Sequence, residues 1–210
     1  MAVGVVVLAG ACSTSNPTST SNPTSAGSAT PAGQTGAAPG ASAAGPAASP
    51  LATEVNPPGD IPDNQAYVSF QVPGSTATVK VPEGWSRSTA GGATTFADKL
   101  NRITVSAAPA ASAPTTAAVQ SRAAAQLGSA VSKYAAGNVS TVQRAGQPVI
   151  LFTYAGDSAP DPVTSKVVRD AFEQYTYWRA GTEVVLTLVG PSNADNVDPW
   201  RIVSDSVNFA

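Results

Sequence analysis

The chain contains no histidine and a single cysteine, Cys12. Without histidine, Ser-His-Asp and Cys-His catalysis, imidazole zinc sites and histidine pH switches are excluded. One cysteine cannot form an internal disulfide. Charged residues make up only 11% of the chain, and 11 lysines and arginines against 13 acids give a net charge of −2 with no basic patch. We therefore expect no nucleic-acid partner.

The N-terminus lacks the length of a membrane span. Val3 to Ala11 are nine apolar or small residues, whereas a transmembrane helix needs about 20 and the core of a signal peptide needs about 7–15. Residues 1–11 are therefore predicted to be a signal peptide. Because no lysine or arginine precedes Lys80, and export signals normally begin with positive charge, we expect the translation start to lie upstream of Met1.

The segment Leu8-Ala9-Gly10-Ala11-Cys12 resembles the lipobox of bacterial lipoproteins. The resemblance implies that Cys12 is acylated, becomes the new N-terminus and anchors the protein at the outer face of the cytoplasmic membrane. Ala9-Gly10-Ala11 also satisfies the A-x-A rule for ordinary signal cleavage. In that alternative the protein is secreted without a lipid.

Residues 12–59 contain almost no charged residues and few large apolar residues. No charged residue precedes Glu54, and serine, threonine, alanine, glycine and proline dominate, with the hexad Thr14–Ser19 repeated at once as Thr20–Ser25. Such a composition cannot bury enough apolar surface to offset the entropy of ordering its backbone. The segment is predicted to be a disordered tether, either a neutral spacer or a stalk that carries O-linked sugar.

Residues 60–210 are predicted to form one domain, because about 150 residues can bury a core without disulfides. Alternating apolar residues, such as Ala77, Val79 and Val81, predict strands with one buried face. PVILFTY, residues 148–154, is apolar on both faces and predicts a central strand. Hairpin turns are expected at 73–75 and 180–181. The predicted strands are 67–72, 76–81, 94–97, 102–107, 139–144, 148–154, 167–179 and 183–189.

Two helices complete the α+β prediction of an antiparallel sheet with helices packed on it. The first follows Thr115 or Thr116 as N-cap and ends before Gly137, because apolar residues recur at helical spacing along one face. These are Val119, Ala123, Leu127, Val131 and Tyr134. The second is expected to begin with Asp198 as cap and Pro199 at its first position, and to bury Trp200, Val203 and Val207.

No carboxylate cluster in the chain has the spacing of a catalytic or metal site. Asp195-Asn196-Val197-Asp198 lacks the alternating acids, central glycine and distal glutamate of a calcium-binding loop, and indicates a helix entry instead. Asp157 and Asp161 could hold a cation only on a loop with no recognisable spacing rule. We predict no catalytic residues, no metal and no cofactor, and therefore no enzyme activity.

One strand carries the strongest candidate for a recognition surface. Alternation places Tyr175 and Tyr177 on a common face with Arg179 beside them, and tyrosine and arginine are favoured at binding surfaces. The alternative interpretation is that both tyrosines pack under a helix with their hydroxyls at the rim. The three residues are named as a possible binding surface, with both interpretations open.

The segment Val79-Lys80-Val81-Pro82-Glu83-Gly84-Trp85, the single mid-chain helix and the closing hairpin and helix resemble the PsbP-like α/β/α sandwich. That fold is shared by lumenal photosystem II extrinsic proteins and the Ran-binding nuclear import factor, and it recurs in bacterial lipoproteins. The ending from Ala194 to Arg201 is similar to that of uncharacterised actinobacterial lipoproteins. The resemblance implies a non-enzymatic binding or scaffolding role.

We therefore expect a monomeric, lipid-anchored adaptor that engages another envelope or membrane protein through the sheet face or the rim loops. The alternative is a carrier of a small ligand or lipid. A carrier would need an apolar cavity between helix 115–136 and the sheet.

Overall fold

The computed structural model describes residues 57–210, which belong to one compact unit. The predicted signal peptide (1–11), Cys12 and the tether up to residue 56 lie outside the described residues. The described elements, in chain order, are β1 (Tyr67–Gln71), β2 (Ala77–Pro82), β3 (Ser86–Ala90), β4 (Ala93–Asp98), β5 (Asn101–Pro109), α1 (Thr116–Ala130), β6 (Ser132–Arg144), β7 (Gln147–Asp157), β8 (Arg169–Arg179), β9 (Thr182–Pro191), α2 (Val197–Ser204) and β10 (Asn208–Phe209).

Two antiparallel sheets form the centre of the fold. The larger has seven strands in the order β3-β4-β5-β9-β8-β7-β6, and the smaller has three in the order β1-β2-β10. α1 packs on one face of the large sheet, while residues of the small sheet and α2 pack on the other. The predicted α+β class, an antiparallel sheet with helices packed on it, is confirmed.

The main core lies between the two sheets, and the predicted alternation places residues in it correctly. Ala77, Val79 and Val81 are at most 2% exposed. Ile103 and Val105 of β5 face the same core, as expected from their alternation with Thr104 and Ser106. Trp200, Val203 and Val207, the predicted stripe of the C-terminal helix segment, are also buried there. Period-2 patterning therefore identified which face of these strands is buried.

The hairpin between β8 and β9 is confirmed at Ala180-Gly181. Both residues adopt positive φ, +47° and +82°, which matches the turn that two-residue hairpins prefer because it follows the right-handed twist of the strands. Glycine adopts this conformation at no steric cost. The turn fixes the register from Arg179 opposite Thr182 to Asp170 opposite Pro191.

The prediction that the first helix extends to residue 136 is wrong. Thr115 caps α1 through its hydroxyl, which accepts from the Ala118 N–H at 3.2 Å, but the helix ends at Ala130 and Val131 is already extended. The next residues form the start of β6 and pair with β7, with two register shifts. Leu127, Val131 and Tyr134 all contact the same apolar cluster. Helix and strand thus present apolar side chains to one cluster, and the helical spacing continued by coincidence.

Gly137 does not end a helix but lies in β6, where the sheet leaves no space for a side chain. A Cβ atom at this position would lie 2.6 Å from the backbone oxygen of Thr153, closer than van der Waals contact allows. Glycine is therefore required here by the close approach of β7, a tertiary requirement that the sequence alone cannot distinguish from a helix-ending glycine.

Two strands were not predicted. β3 is exposed at every position, so it has no apolar alternation to reveal it, and β10 is only two residues long. β8 begins at Arg169 rather than Val167. β7, predicted to be central, lies one strand from the edge, yet both of its faces are covered: Val149 contacts the main core and Phe152 the cluster under α1.

Asp198 is not the N-cap of α2, in contrast to the prediction. α2 begins at Val197 with Asn196 in the cap position, and the Asn196 side chain makes no capping hydrogen bond to the helix. The Asn196 side chain instead accepts from the Ile61 N–H at 2.8 Å and donates to the Gly59 carbonyl at 2.9 Å. These contacts hold the segment that leads into the domain against the start of α2.

Candidate functional site

A polar depression, here called the α1 cleft, lies between α1 and the large sheet. Its volume is about 260 Å³. The walls come from one helix and three strands: α1 contributes Arg122, Gln126 and Leu127, and β5, β8 and β9 contribute mainly hydroxyl and amide side chains. The full lining is Thr104, Ser106, Arg122, Ala123, Gln126, Leu127, Gln174, Glu183, Val185 and Thr187.

A row of polar side chains crosses the sheet at the floor of the cleft. Residues directly opposite on paired strands share a face, and the register aligns one polar residue from each of five adjacent strands. The row is Ser88, Thr95, Thr104, Thr187 and Gln174. The hydroxyls of Thr95 and Thr104 are hydrogen-bonded at 3.0 Å. The row therefore presents hydroxyl and amide groups on rigid strands at about 4.8 Å spacing.

Only part of this row is predictable from the sequence. Alternation of Ile103 and Val105 with Thr104 and Ser106 showed that β5 has a polar face. Gln174 and Thr187 lie on different strands, and their alignment with Thr104 depends on register, which alternation within one strand does not specify.

The only charges that line the cleft neutralise each other. Arg122 donates to both carboxylate oxygens of Glu183, at 2.8 and 3.3 Å. The Glu183 side chain is 9% exposed and that of Arg122 is 42% exposed. This bidentate pair links α1 to β9, and it leaves the cleft polar without net charge.

The rest of the interface between α1 and the sheet is filled by apolar side chains. Val119 and Ala123 of α1 pack on Ile150, Phe152 and Tyr154 of β7. The rings of Tyr154 and Phe172 are stacked with centroids 4.4 Å apart. The space between the middle of α1 and β7, where the carrier alternative requires an apolar cavity, is therefore occupied, and the α1 cleft beside it is lined mainly by polar groups.

The two carboxylates considered for a loop cation site, Asp157 and Asp161, each have partners of their own. Asp157 contacts Lys133 at 2.7 Å and Arg169 at 3.1 Å, and these hydrogen bonds hold the pKa of Asp157 below its ordinary value. Asp161 accepts from the backbone N–H of Val163 and of Thr164; the contacts to Thr164 are the main cause of its lowered pKa. Each carboxylate is thus engaged locally. Within residues 57–210, no group of three or more potential metal ligands is present.

Tyr175 and Tyr177 lie in the main core, only 1% and 0% exposed. The Tyr177 hydroxyl donates to the Ser204 carbonyl at 2.6 Å, and the Tyr175 hydroxyl donates to Glu173 at 2.6 Å. Of the three residues named as a possible binding surface, Arg179 alone is exposed. This placement favours the packing interpretation of the two tyrosines, because their rings are covered by other parts of the domain.

Burial also governs the acidity of the tyrosines. Desolvation is the main cause, and the hydrogen bond to Glu173 the second, that raises the pKa of Tyr175 to about 12. Desolvation raises the pKa of Tyr177 further. Neither phenol ionises near neutral pH.

No helix in the described part of the chain is both long and apolar enough to cross a membrane.

Comparisons with known proteins show likeness only to solved structures. No protein-family model and no curated protein matches the chain. The chain is similar to cyanobacterial PsbP from Synechocystis sp. PCC 6803, with a TM-score of 0.48 and 13% identity, over 70% of this chain and 94% of that one. It is similar to the Saccharomyces cerevisiae Ran-binding protein Mog1p, with a TM-score of 0.43 and 12% identity, over 61% and 78%.

A third similar structure is LpqN, involved in cell envelope biogenesis of Mycobacterium tuberculosis, with a TM-score of 0.39 and 15% identity, over 70% of this chain and 92% of that one. The chain is also similar to a longer solved protein from Bacteroides thetaiotaomicron, of which it covers 48%. With TM-scores and identities this low, the similarities carry no argument about function. Lipid anchoring and actinobacterial origin stay predictions.

Proposed function

We propose that the chain is a non-catalytic binding module of the cell envelope, which a lipid on Cys12 holds at the outer face of the cytoplasmic membrane. In this proposal it is an adaptor that engages another envelope or membrane protein through the α1 cleft and the sheet face beside it. The observation that carries the proposal is the row of hydroxyl and amide side chains across five strands of the sheet.

The row suits protein recognition because it is held rigidly and extends beyond the cleft. Ser88 at its outer end is exposed, and Thr95 is half-buried. A stable protein interface needs about 800 Å² on each partner and about one hydrogen bond per 100–200 Å². The cleft alone is small for this purpose, but the open face over β3 and β4 continues the same polar surface. Arg122 and Gln126 form its border on the helix side.

The carrier alternative is less well supported. It requires an apolar cavity under α1, and Val119, Ala123 and Phe152 fill that space with side chains that are at most 4% exposed. A lipid or apolar ligand would have to displace this cluster, whereas a polar partner can reach the row without any rearrangement.

The experiment is site-specific photo-cross-linking in cells with the anchored, full-length chain. One form carries the cross-linker at Gln126, which is exposed and lines the cleft. The matched control carries it at Ser121, an exposed residue of the same helix about 200° around the axis from the buried Ala123. We expect one envelope or membrane protein, identified by mass spectrometry, to cross-link from Gln126 and not from Ser121.

Two further variants complete the design. Thr187→Lys places a charge in the middle of the row and should abolish the cross-link from Gln126, and Cys12→Ser should reduce it by releasing the protein from the membrane. Equal yields from Gln126 and Ser121, or a cross-link that survives Thr187→Lys, would contradict the proposal.

A further inference from the structure

β3 is one of the two edge strands of the large sheet, and its outer edge is open. The strand pairs with β4 on one side only, and all five of its residues are exposed. An unpaired strand edge presents backbone N–H and C=O groups that can pair with a strand from another chain. This edge therefore offers backbone groups for recognition, in contrast to the side chains of the polar row.

The turn into β4 shows which backbone groups of β3 face outward. The two glycines between Ala90 and Ala93 have φ values of +57° and +80°, as in a two-residue hairpin turn. The pair that flanks such a turn is hydrogen-bonded, and hydrogen-bonded pairs alternate with pairs whose backbone groups point away. Arg87 and Thr89 therefore direct their N–H and C=O groups to the open side. Beyond the pairing of β3 with β4, neither makes a backbone hydrogen bond to another described residue.

The opposite edge of the same sheet, formed by β6, is irregular. The pairing of β6 with β7 contains two register shifts, and Lys133 within β6 has a φ of +45°. Irregularities of this kind twist an edge and hinder the addition of a further strand. β3 has five pairs in continuous register and no proline. Of the two edges of the large sheet, β3 is therefore the one suited to accept a strand.

Arg87 gives this edge a preference for negative charge. Its guanidinium lies over the Phe70 ring, 4.6 Å from the centroid, so the side chain is held against β1. Arg87 is exposed and makes no ion pair with another described residue. Opposite charges on directly paired residues attract, and like charges repel. An added strand with an acidic residue opposite Arg87 is therefore favoured over one with a basic residue.

β3 also forms the outer end of the polar row. Ser88 is the member of the row on β3, and Gln174 is the member at the other end. A strand added to β3 would continue the sheet and place one of its side chains beside Ser88, in line with the row. One partner protein can therefore contact the edge and the α1 cleft together.

We infer that the partner protein adds an extended segment to the open edge of β3, with an acidic residue of that segment opposite Arg87. The N–H and C=O groups of Arg87 and Thr89 pair with the backbone of the segment. The inference rests on the proposed function, because it states how the partner of the adaptor is held.

The test is photo-cross-linking in cells with the anchored, full-length chain and the cross-linker at Ser88, an exposed residue on the face of the row. Mass spectrometry identifies the cross-linked protein and maps the cross-linked peptide within it. We expect the same envelope or membrane protein that cross-links from Gln126. We also expect one short segment of it, containing an acidic residue, to carry the cross-links from Ser88.

Thr89 offers a matched pair of variants. Proline lacks an N–H, and the N–H of Thr89 faces outward, so Thr89→Pro removes one group of the edge without breaking the pairing with β4. Thr89→Ala changes the side chain and keeps that N–H. We expect Thr89→Pro to lower the cross-link yields from Ser88 and Gln126 about tenfold, and Thr89→Ala to leave both unchanged. Circular dichroism and the thermal midpoint check that each variant is folded.

A charge reversal provides a second test that leaves the backbone groups in place. Arg87→Glu should lower both cross-link yields, because the new carboxylate would face the acidic residue of the segment. Arg87→Lys keeps the charge and should retain most of the yield. This pair keeps the inference testable if Thr89→Pro does not fold.

The outcomes separate the inference from the proposed function. If a partner cross-links from Gln126 and its yield is the same in Arg87→Glu and in folded Thr89→Pro, the inference is wrong and the adaptor function stands. If no envelope or membrane protein cross-links from either position, both are wrong. A cross-link from Ser88 to a second copy of the chain, or to residues 1–56 of the same chain, would show a different occupant of the edge and would also overturn the inference.

Discussion

Tyr177, in the middle of the large sheet, donates its hydroxyl hydrogen to the backbone carbonyl of Ser204, the last residue of α2, at 2.6 Å. Tyr177 is 0% exposed. The contact satisfies one of the carbonyls that every helix leaves unpaired at its C-terminus, and it connects α2 to the sheet across the main core.

Replacing Tyr177 by phenylalanine should lower the free energy of unfolding by about 1–3 kcal/mol, because a buried carbonyl is left without its partner. Urea denaturation monitored by circular dichroism gives the value. Tyr154→Phe is the control, since the Tyr154 hydroxyl makes no hydrogen bond to other described residues and the ring is likewise buried. A loss no larger than that of the control would show that the contact contributes nothing to stability.

Asn196 should matter far more to stability than Asp198, the residue predicted to cap α2. Asn196→Ala removes buried hydrogen bonds to Gly59, Ile61 and Asn101, which should cost about 2–4 kcal/mol. Asp198→Ala removes only a favourable charge in the first turn, worth about 0.3–1 kcal/mol.

Hydrogen exchange at the Ile61 amide provides a second readout for this pair. We expect faster exchange in Asn196→Ala and no change in Asp198→Ala. If both variants lose the same stability, Asn196 has no special role in holding the entering segment.

Tyr175 makes the domain sensitive to alkaline pH. Its pKa rises from 10.0 in the unfolded chain to about 12 in the fold, chiefly through burial. A raised pKa means that the folded state holds its proton more tightly, so stability is lost as pH rises from 10 towards 12, by on the order of 2–3 kcal/mol. Denaturation of Tyr175→Phe across this interval should show a smaller decrease than the unmodified protein. Equal decreases would indicate that Tyr175 does not contribute to the alkaline loss of stability.

Asp157 and Asp170 should affect acid stability with opposite signs. Hydrogen bonds to Lys133 and Arg169 lower the pKa of Asp157 below 3.8, so its contribution is present above that pH and is lost as pH falls through the lowered value. Burial raises the pKa of Asp170 above 3.8 despite the Arg102 contact, so protonation of Asp170 on acidification favours the fold.

The measurement is the thermal midpoint as a function of pH from about 6 to about 2. In the Asp157→Asn variant the thermal midpoint should fall less steeply with decreasing pH than in the unmodified protein. In the Asp170→Asn variant it should fall more steeply. The assignment of these signs fails if both variants change the slope in the same direction.

Local sequence patterns were sufficient to predict structure where one face of a strand or helix is uniformly buried and the other is not. The alternation of Ala77, Val79 and Val81 identified a buried face because strand side chains alternate strictly. The turn at Ala180-Gly181 was identifiable because its conformation depends on the residues within it. The class of fold and the start of α1 at Thr115 were predictable for the same reason, because they too depend on local residue types and spacing.

Patterns failed where a partner distant in sequence decides the conformation. Tyr134 continues the helical spacing of α1, but pairing of the neighbouring residues with β7 makes the segment a strand. Asp198 is a good cap by type, yet the cap position belongs to Asn196, whose side chain is engaged with Gly59 and Ile61.

The sequence by itself determined the composition limits, the absence of histidine chemistry, the α+β class and the buried faces of most strands, because each of these depends on residue type or on periods of two to four residues. Only the tertiary structure decided that Tyr175 and Tyr177 are covered and that Thr104, Thr187 and Gln174 form one row. Register and long-range packing set these features, since a shift of one residue between strands moves every side chain to the opposite face.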